Sequence, residues 1–380
     1  MEKKKILFFI YHLGAGGAAR TLLNVLNHLD RTQFEPILVT LDFQGDYEAY
    51  LKPDVTFIKL DTKRLRSAIF PLAKVIRTER PHLVFSTIPV YNTVAILARL
   101  FSCTRTKNIV REAAFLGGDF TTNLKLRIVG CLYRLSSQVI SLSEGVKENL
   151  VQRYKVHPNK IQVIYNPVDL DHIREHVAKG QIATEHQPIF SGDTKVIVTA
   201  GRLVQDKDQQ TLIQAVAKVQ KRLPVDLVIL GEGELEATLK QQAKDLEIEN
   251  HVHFIGFQSN PYIYFEQADV FVLSSLREGF GHVLVEALAT GTPVVSTNCK
   301  PGAEEVLNGG EFGKLCEVGN ATDMAAAIID VLTRNQEETE EIIQKGKQRA
   351  EQFAAKRIVK QYESVFQQTI DEGKRNRKRR

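Results

Sequence analysis

Four residues in the second half of the chain have the types and spacing for chemistry: Arg202, Lys207, Glu278 and Glu286. Arg202 and Lys207 follow a strand-like run, Val196-Ile197-Val198-Thr199-Ala200-Gly201. Glu278 and Glu286 bracket Gly279-Phe280-Gly281-His282-Val283-Leu284-Val285, so seven residues separate the two carboxylates. Arg grips phosphate oxygens in a planar fork, and Lys acts as a point charge. One carboxylate can reach a sugar and the other a ribose diol, so the set suits a nucleotide-sugar diphosphate. Glu286 lies between Leu284-Val285 and Ala287-Leu288-Ala289, where a carboxylate requires a partner. Gly279 and Gly281 leave backbone N–H groups accessible to a ligand.

A second candidate stands near the start. The run from Ile6 to His12 leads into Gly14-Ala15-Gly16-Gly17-Ala18-Ala19-Arg20 and then a helical pattern. Glycines there allow close approach to an anion held at a helix N-terminus. The loop resembles a dinucleotide fingerprint with Ala19 in place of the third glycine, and Asp42 ends the next strand where a ribose would be held. Alone, that motif is weak support for an oxidoreductase.

These residues need a scaffold that presents loops along one edge, and the hydrophobic pattern supplies one. Apolar runs at Ile6–His12, Pro36–Leu41, Val55–Leu60, Leu83–Ser86, Asn108–Val110, Gln138–Leu142 and Gln162–Tyr165 alternate with helical stretches such as Ala18–Leu29. After a polar, irregular stretch the alternation restarts at Lys195–Ala200, Asp226–Leu230, Val252–Ile255, Val270–Leu273 and Pro293–Ser296. Strands that are apolar throughout and separated by helices indicate α/β architecture with parallel sheets covered on both faces. The expected organisation is a first Rossmann-like domain over 1–168, a linker over 169–193 and a second Rossmann-like domain over 194–350. A helix over 351–373 and a basic tail over 374–380 follow.

Length and composition agree with two globular domains: 380 residues, 43% hydrophobic and 25% charged. The net charge of +5 is unevenly distributed. Residues 1–168 carry 24 Lys+Arg against 13 Asp+Glu, a net of +11, and residues 169–380 carry 26 against 32, a net of −6. A basic first half and tail favour an anionic membrane surface or an anionic acceptor. Cys103, Cys131, Cys299 and Cys316 have no paired spacing, which argues against a disulfide framework or zinc site. Lys3-Lys4-Lys5 before Ile6 to Leu13 imitates a signal peptide, but the apolar run is short and a buried first strand is the better reading. No stretch reads as membrane-spanning, since Pro89, Asn92 and Arg99 interrupt Leu83 to Leu100.

Three further patterns invite a metal. His172-Ile173-Arg174-Glu175-His176 matches H-x-x-E-H but has no evident third ligand. His251 and His253 share a strand face, and two ligands rarely suffice. Asp169-Leu170-Asp171, after Asn166-Pro167, reads better as a turn and helix cap than as a metal pair.

Taken together, Gly201-Arg202-Leu203 with Lys207, and Arg277-Glu278-Gly279-Phe280-Gly281 through Glu286-Ala287-Leu288-Ala289-Thr290-Gly291-Thr292-Pro293-Val294-Val295, resemble the retaining glycosyltransferases of family four, of the bacterial envelope-glycan type. Gly14–Gly17, Asn166-Pro167, Gly231-Glu232-Gly233 and Phe254-Ile255-Gly256-Phe257 also fit, so the resemblance covers nearly the whole chain.

The resemblance implies the GT-B fold, in which two Rossmann-like domains face across a cleft and a last helix crosses back onto the first. It implies that Arg202 and Lys207 bind the donor diphosphate, and that Glu278 with the N–H groups of Phe280 and Gly281 contacts the donor sugar. Glu286 would hold the ribose, Gly256 and Phe257 would lie near the base, and Gly16 and Gly17 would close over the phosphates and acceptor. Many members carry a His in the first domain. The corresponding stretch here is Val110-Arg111-Glu112-Ala113-Ala114, so either Glu112 takes part of that role or the site is built differently.

The implied reaction is transfer of a hexosyl or N-acetylhexosaminyl group from a UDP-sugar with retention. No cofactor and no metal is required, because cations of the chain serve the diphosphate. The implied acceptor is a glycan or polyprenyl-diphosphate-linked glycan in envelope polysaccharide synthesis, with no nucleic-acid partner, on the cytoplasmic side and peripheral to the membrane. A UDP-sugar epimerase or hydrolase of the same fold, or a non-catalytic nucleotide-sugar-binding protein, remains an alternative.

Overall fold

The computed structural model describes residues 3–14 and 16–378. The chain forms two compact units, one running to Val168 and resuming at Ala355, the other Asp169–Ala354.

The first unit is built on seven parallel strands: β1 (Lys4–Phe9), β2 (Phe34–Leu41), β3 (Thr56–Leu60), β4 (Leu83–Thr87), β5 (Lys107–Glu112), β6 (Gln138–Ser141) and β7 (Ile161–Val163). Their order is β3-β2-β1-β4-β5-β6-β7. β1 lies near the middle and its Ile6, Leu7, Phe8 and Phe9 are wholly buried, as the apolar run demands of a strand covered on both faces. Lys4 and Lys5 are the first two residues of this strand. The chain's last helix, Ala355–Lys378, belongs to this unit. Its Ile358, Val359, Tyr362, Val365, Phe366 and Ile370 recur at helical spacing and fill the core beside Phe8 and Phe85. The Ala355 N–H donates to Val168 O at 2.7 Å, joining the two crossings of the chain. The side chains of the basic tail 374–380 lie outside the described residues.

The second unit carries six parallel strands: β8 (Lys195–Ala200), β9 (Val225–Leu230), β10 (Val252–Gly256), β11 (Val270–Leu273), β12 (Val294–Thr297) and β13 (Lys314–Cys316), in the order β10-β9-β8-β11-β12-β13. In each sheet the order reverses once, between β1 and β4 and between β8 and β11. Loops diverge at such a point and leave a crevice at the strands' C-terminal ends. The edge strand β13 has no counterpart in the sequence reading, because Leu315 and Cys316 are only two apolar residues between Lys314 and Glu317, whereas the equally short β7 runs on into Ile164 and Tyr165.

The stretch expected as a linker, 169–193, is folded. It carries the helix Leu170–Lys179 and the short helix Gln187–Phe190, and it belongs to the second unit. Its polar outer face hides a narrow contact: Leu170 and Ile173 are buried, and a Cβ at Gly180 would stand 2.5 Å from Ile263 Cγ2. Asp169 caps this helix, accepting from His172 N at 3.1 Å. The His172 and His176 rings lie 3.8 Å apart between centroids with their planes tilted by 39°, and both meet Tyr262 edge-on, while Glu175 pairs with Lys179. His251 and His253 both bond Asp226 Oδ1, at 3.1 and 3.2 Å. Among the described residues no helix is long and apolar enough to cross a membrane.

Candidate active site

In the second unit the candidate residues stand on loops at the C-terminal ends of the strands. β8 ends at Ala200, and the chain turns through Gly201 and Arg202 into a single 3-10 turn, Gln205–Lys207. That turn is tied to the end of β11: Ser274 Oγ donates to Lys207 O at 2.8 Å, and Leu276 N donates to Asp206 O at 2.9 Å. Asp208 then caps the helix Gln209–Val219, accepting from Thr211 N at 3.3 Å and Thr211 Oγ1 at 2.7 Å. The buried Gln209 side chain donates to Arg202 O at 3.0 Å, which holds the loop while the Arg202 side chain stays exposed.

Across the sheet's reversal point, β11 leads into the Glu278 loop. Glu278 Oε1 accepts from Ser275 Oγ at 3.0 Å and is ion-paired with Lys207 Nζ. Two residues singled out separately in the sequence are thus one unit, spanning the crevice between the ends of β8 and β11. Both are mostly shielded, with side-chain exposures of 24% for Lys207 and 14% for Glu278. The loop is clamped from behind. The Phe280 ring is buried against Phe353, with centroids 5.2 Å apart. Gly302 N donates to Glu278 O at 3.1 Å, and a Cβ on Gly302 would stand 2.6 Å from Phe280 N. Gly281, at φ +84°, turns the chain into the helix His282–Thr290, whose second turn holds Glu286 at 1% exposure. Cys299, buried beside this loop, has its thiol pushed up to about 11 by burial.

The ends of β8, β9 and β10 are layered closely. Gly201 N donates to Leu230 O at 2.9 Å and Gly231 N to Gly256 O at 2.8 Å. Gly231 has φ +135°, and a Cβ there would lie 2.0 Å from Gly201 O, so no other residue fits without moving backbone. Phe257, just past β10, exposes 69% of its surface at the same edge.

The first unit's candidates divide into two environments. Gly16 is the N-cap of the helix Gly17–His28, with extended backbone and nothing within 4 Å of a built Cβ. Packing therefore does not require a glycine there. Glu112, at the end of β5, is completely buried. Its Oε1 accepts from Ala113 N at 3.1 Å and Ala114 N at 3.3 Å, and its Oε2 from Tyr133 Oη at 2.9 Å and Tyr154 Oη at 3.3 Å. Burial pushes its carboxyl up to about 7 against those bonds, which pull the other way.

Sequence reasoning missed the network around Glu112. Arg111, 1% exposed, donates from Nε to Tyr362 Oη at 3.0 Å, from Nη1 to Thr87 Oγ1 at 3.0 Å and from Nη2 to Asn166 Oδ1. Asn92 donates to Arg111 O at 2.9 Å and Tyr133 Oη at 2.8 Å, and accepts from Ser86 Oγ at 2.8 Å. Asn24, on the first helix, donates to Pro167 O at 2.9 Å, so the Asn166-Pro167 turn, the glycine-loop helix and the end of β5 are bonded together. The one available signal was Arg111-Glu112 directly following the apolar pair Ile109-Val110 at the end of a strand.

Two family models match the chain: "Glycosyltransferase Family 4" over residues 15–172 and "Glycosyl transferases group 1" over residues 181–349. A Campylobacter jejuni relative, N-acetylgalactosamine-N,N'-diacetylbacillosaminyl-diphospho-undecaprenol 4-alpha-N-acetylgalactosaminyltransferase, is 33% identical over 84% of this chain and 88% of its own. Among solved structures, a glycosyltransferase from Rickettsia africae superposes with a TM-score of 0.82 at 19% identity, covering 97% of this chain and 99% of the other. Anabaena HepE in complex with UDP superposes with a TM-score of 0.81 at 23% identity, covering 96% and 100%.

Proposed function

The chain belongs to glycosyltransferase family 4, retaining enzymes of GT-B fold that use nucleotide-sugar donors, and on that premise we propose that it transfers a hexosyl or N-acetylhexosaminyl group from a UDP-sugar to a lipid-linked glycan. The observation that carries the reading is the Lys207–Glu278 pair, held by Ser275 at the reversal point of the second sheet. A diphosphate entering that crevice competes with Glu278 for Lys207. The cation passes to the phosphates, and the carboxylate turns to the sugar hydroxyls. Arg202, exposed and on the same loop, adds the second positive charge.

Charge grows on the leaving diphosphate as the anomeric C–O bond breaks. Fixed cations therefore stabilise the transition state more than the ground state. Glu286 accepts from the ribose diol, the exposed Phe257 ring stacks on the base beside Gly256, and the Phe280 and Gly281 backbone meets the sugar. Glu112 acts as a positioning residue, because its carboxylate is occupied by four donors and sets the end of β5.

The lipid-linked acceptor is supported by the diphospho-undecaprenol substrate named for the Campylobacter relative, and by the net +11 of residues 1–168. An acceptor of that kind places the enzyme at an anionic membrane face. UDP is favoured by the fold's likeness to HepE, which is bound to UDP. Calorimetry with UDP, GDP and ADP tests the donor: UDP binds, and Glu286→Ala weakens it. Binding of GDP or ADP in preference, or indifference to Glu286→Ala, overturns the assignment. A donor-only incubation that releases free sugar as fast as any acceptor reaction would instead mark a hydrolase.

A further inference from the structure

Helices on the surface of an α/β unit normally turn a polar face outward. The helix Phe120–Tyr133, between β5 and β6, does not. Its inner face is apolar in the ordinary way: Leu126, Gly130 and Tyr133 are buried, and Gly130 packs so closely that a Cβ would stand 1.8 Å from Tyr154 O. The outer face is apolar too. Phe120 is 81% exposed, Ile128 58% and Leu124 49%, with Leu135 just past the helix at 50%. At about 100° per residue, these four and the exposed Cys131 fall in an arc of about 80°. Arg127 and Arg134 flank one side of that arc and Lys125 the other, all exposed, and the helix contains no Asp or Glu. Phe115 and Leu116, in the loop leading to it, are also exposed.

This is not an isolated apolar residue on a polar surface. Among the described residues, eleven of the fourteen exposed large apolar side chains precede Val168, and the stripe is the densest group of them. A contiguous exposed stripe of this kind marks an interaction surface. The charge around it selects the occupant. A protein partner would need acidic side chains matched to three cations, whereas an anionic bilayer presents negative headgroups at the rim and hydrocarbon beneath the centre. The close Gly130 contact fixes which face of the helix packs inward and so leaves the stripe on the outer face.

We propose that the Phe120–Leu135 stripe is a membrane-docking surface that inserts Phe120, Leu124 and Ile128 into an anionic lipid leaflet, with Arg127, Arg134 and Lys125 at the headgroups. The inference deepens the lipid-linked acceptor reading and rests on it for its purpose, but it is measured without acceptor.

The test is flotation of the full-length protein with phosphatidylglycerol-containing vesicles and with phosphatidylcholine vesicles, beside UDP calorimetry on the same samples. The wild type floats with anionic vesicles only. Phe120→Ser/Leu124→Ser/Ile128→Ser lowers the bound fraction at least tenfold and leaves UDP binding unchanged, which shows that the variant is folded. Arg127→Ser/Arg134→Ser lowers it as well, and added salt mimics that variant. In a Cys103→Ser background, an environment-sensitive dye on Cys131 shifts to the blue on anionic vesicles.

Failure of the wild type to float overturns the proposal, as does flotation of the triple-serine variant at the wild-type level. A dimer by light scattering that the triple-serine variant abolishes also overturns it, because a second copy then covers the stripe. Vesicle binding without UDP binding sinks the donor assignment and leaves the docking surface standing.

Discussion

If Lys207 serves the donor diphosphate while resting on Glu278, the two residues must have opposite effects on UDP binding. Lys207→Ala removes a cation and also uncovers a carboxylate that is only 14% exposed and stands beside the phosphate site. Glu278→Gln removes the competitor for the lysine and keeps the Ser275 hydrogen bond available. Two unit charges about 4 Å apart interact by about 4 kcal/mol at an effective dielectric of about 20, and desolvation repays much of that. Couplings for residues in direct contact run to roughly 0.5–3 kcal/mol.

A cation lost from a site of developing charge costs about 10²–10³ in turnover, or about 2.7–4 kcal/mol. Lys207→Ala should therefore lower transfer by at least about 10²-fold and weaken UDP binding as well. Glu278→Gln should leave UDP binding equal or tighter by up to about tenfold, yet reduce transfer by about 10²–10³ because its contact is with the sugar. In the double variant, part of the loss should return, with a coupling of about 1.4 kcal/mol or more. Calorimetry of UDP on the four proteins, with turnover measured in parallel, completes the cycle. If Glu278→Gln weakens UDP as much as Lys207→Ala, or if the two changes simply add, the exchange of Lys207 between carboxylate and diphosphate is refuted.

Three other outcomes follow from the same geometry. Glu112 titrates near 7 in the folded chain against 4.5 ordinarily, so the folded state binds an extra proton between those values. Its contribution to stability is full below about pH 4.5 and falls as pH rises towards 7, by about 3 kcal/mol at about 1.4 kcal/mol per pH unit. Urea unfolding across pH 4.5–8 should show that slope in the wild type and not in Glu112→Gln, and equal slopes would disprove the assignment. Arg111→Met strands the buried Thr87, Asn166 and Tyr362 groups and should cost roughly 3 kcal/mol or more in unfolding free energy, measured by urea titration. The two glycine types should separate. Gly231→Ala collides with Gly201 O and should abolish folding or UDP binding, whereas Gly16→Ala meets nothing and should leave thermal stability unchanged, as a thermal melt of each variant checks.

Much of the architecture was legible because fully buried parallel strands must be apolar at every position. Twelve of the thirteen strands announced themselves as short apolar runs between helical periods, and only the three-residue β13 did not. Arg202, Lys207, Glu278 and Glu286 stood out for the same reason in reverse, as charges following or interrupting apolar runs. Only the cap of the helix Leu170–Lys179, Asp169, was legible, because two buried apolar side chains leave no period in a polar stretch.

What the chain order could not express is partnership over distance. Lys207 and Glu278 are 71 residues apart, and only the pairing of β8 with β11 brings their loops to one crevice. Arg111 meets Thr87, Asn166 and Tyr362 at separations of 24, 55 and 251 residues, so its burial depends on β4, the Asn166-Pro167 turn and the last helix arriving together. Glu112 appeared in the sequence as a candidate beside the reacting sugar, and the tertiary structure surrounds it with two tyrosines and its own backbone. The helix Phe120–Tyr133 is apolar on both sides, so periodicity cannot say which side faces in. Gly130 against Tyr154 O decided it. Residue type and local spacing set which groups can do chemistry, whereas direction, burial and charge neutralisation come from neighbours that only the folded sheet supplies.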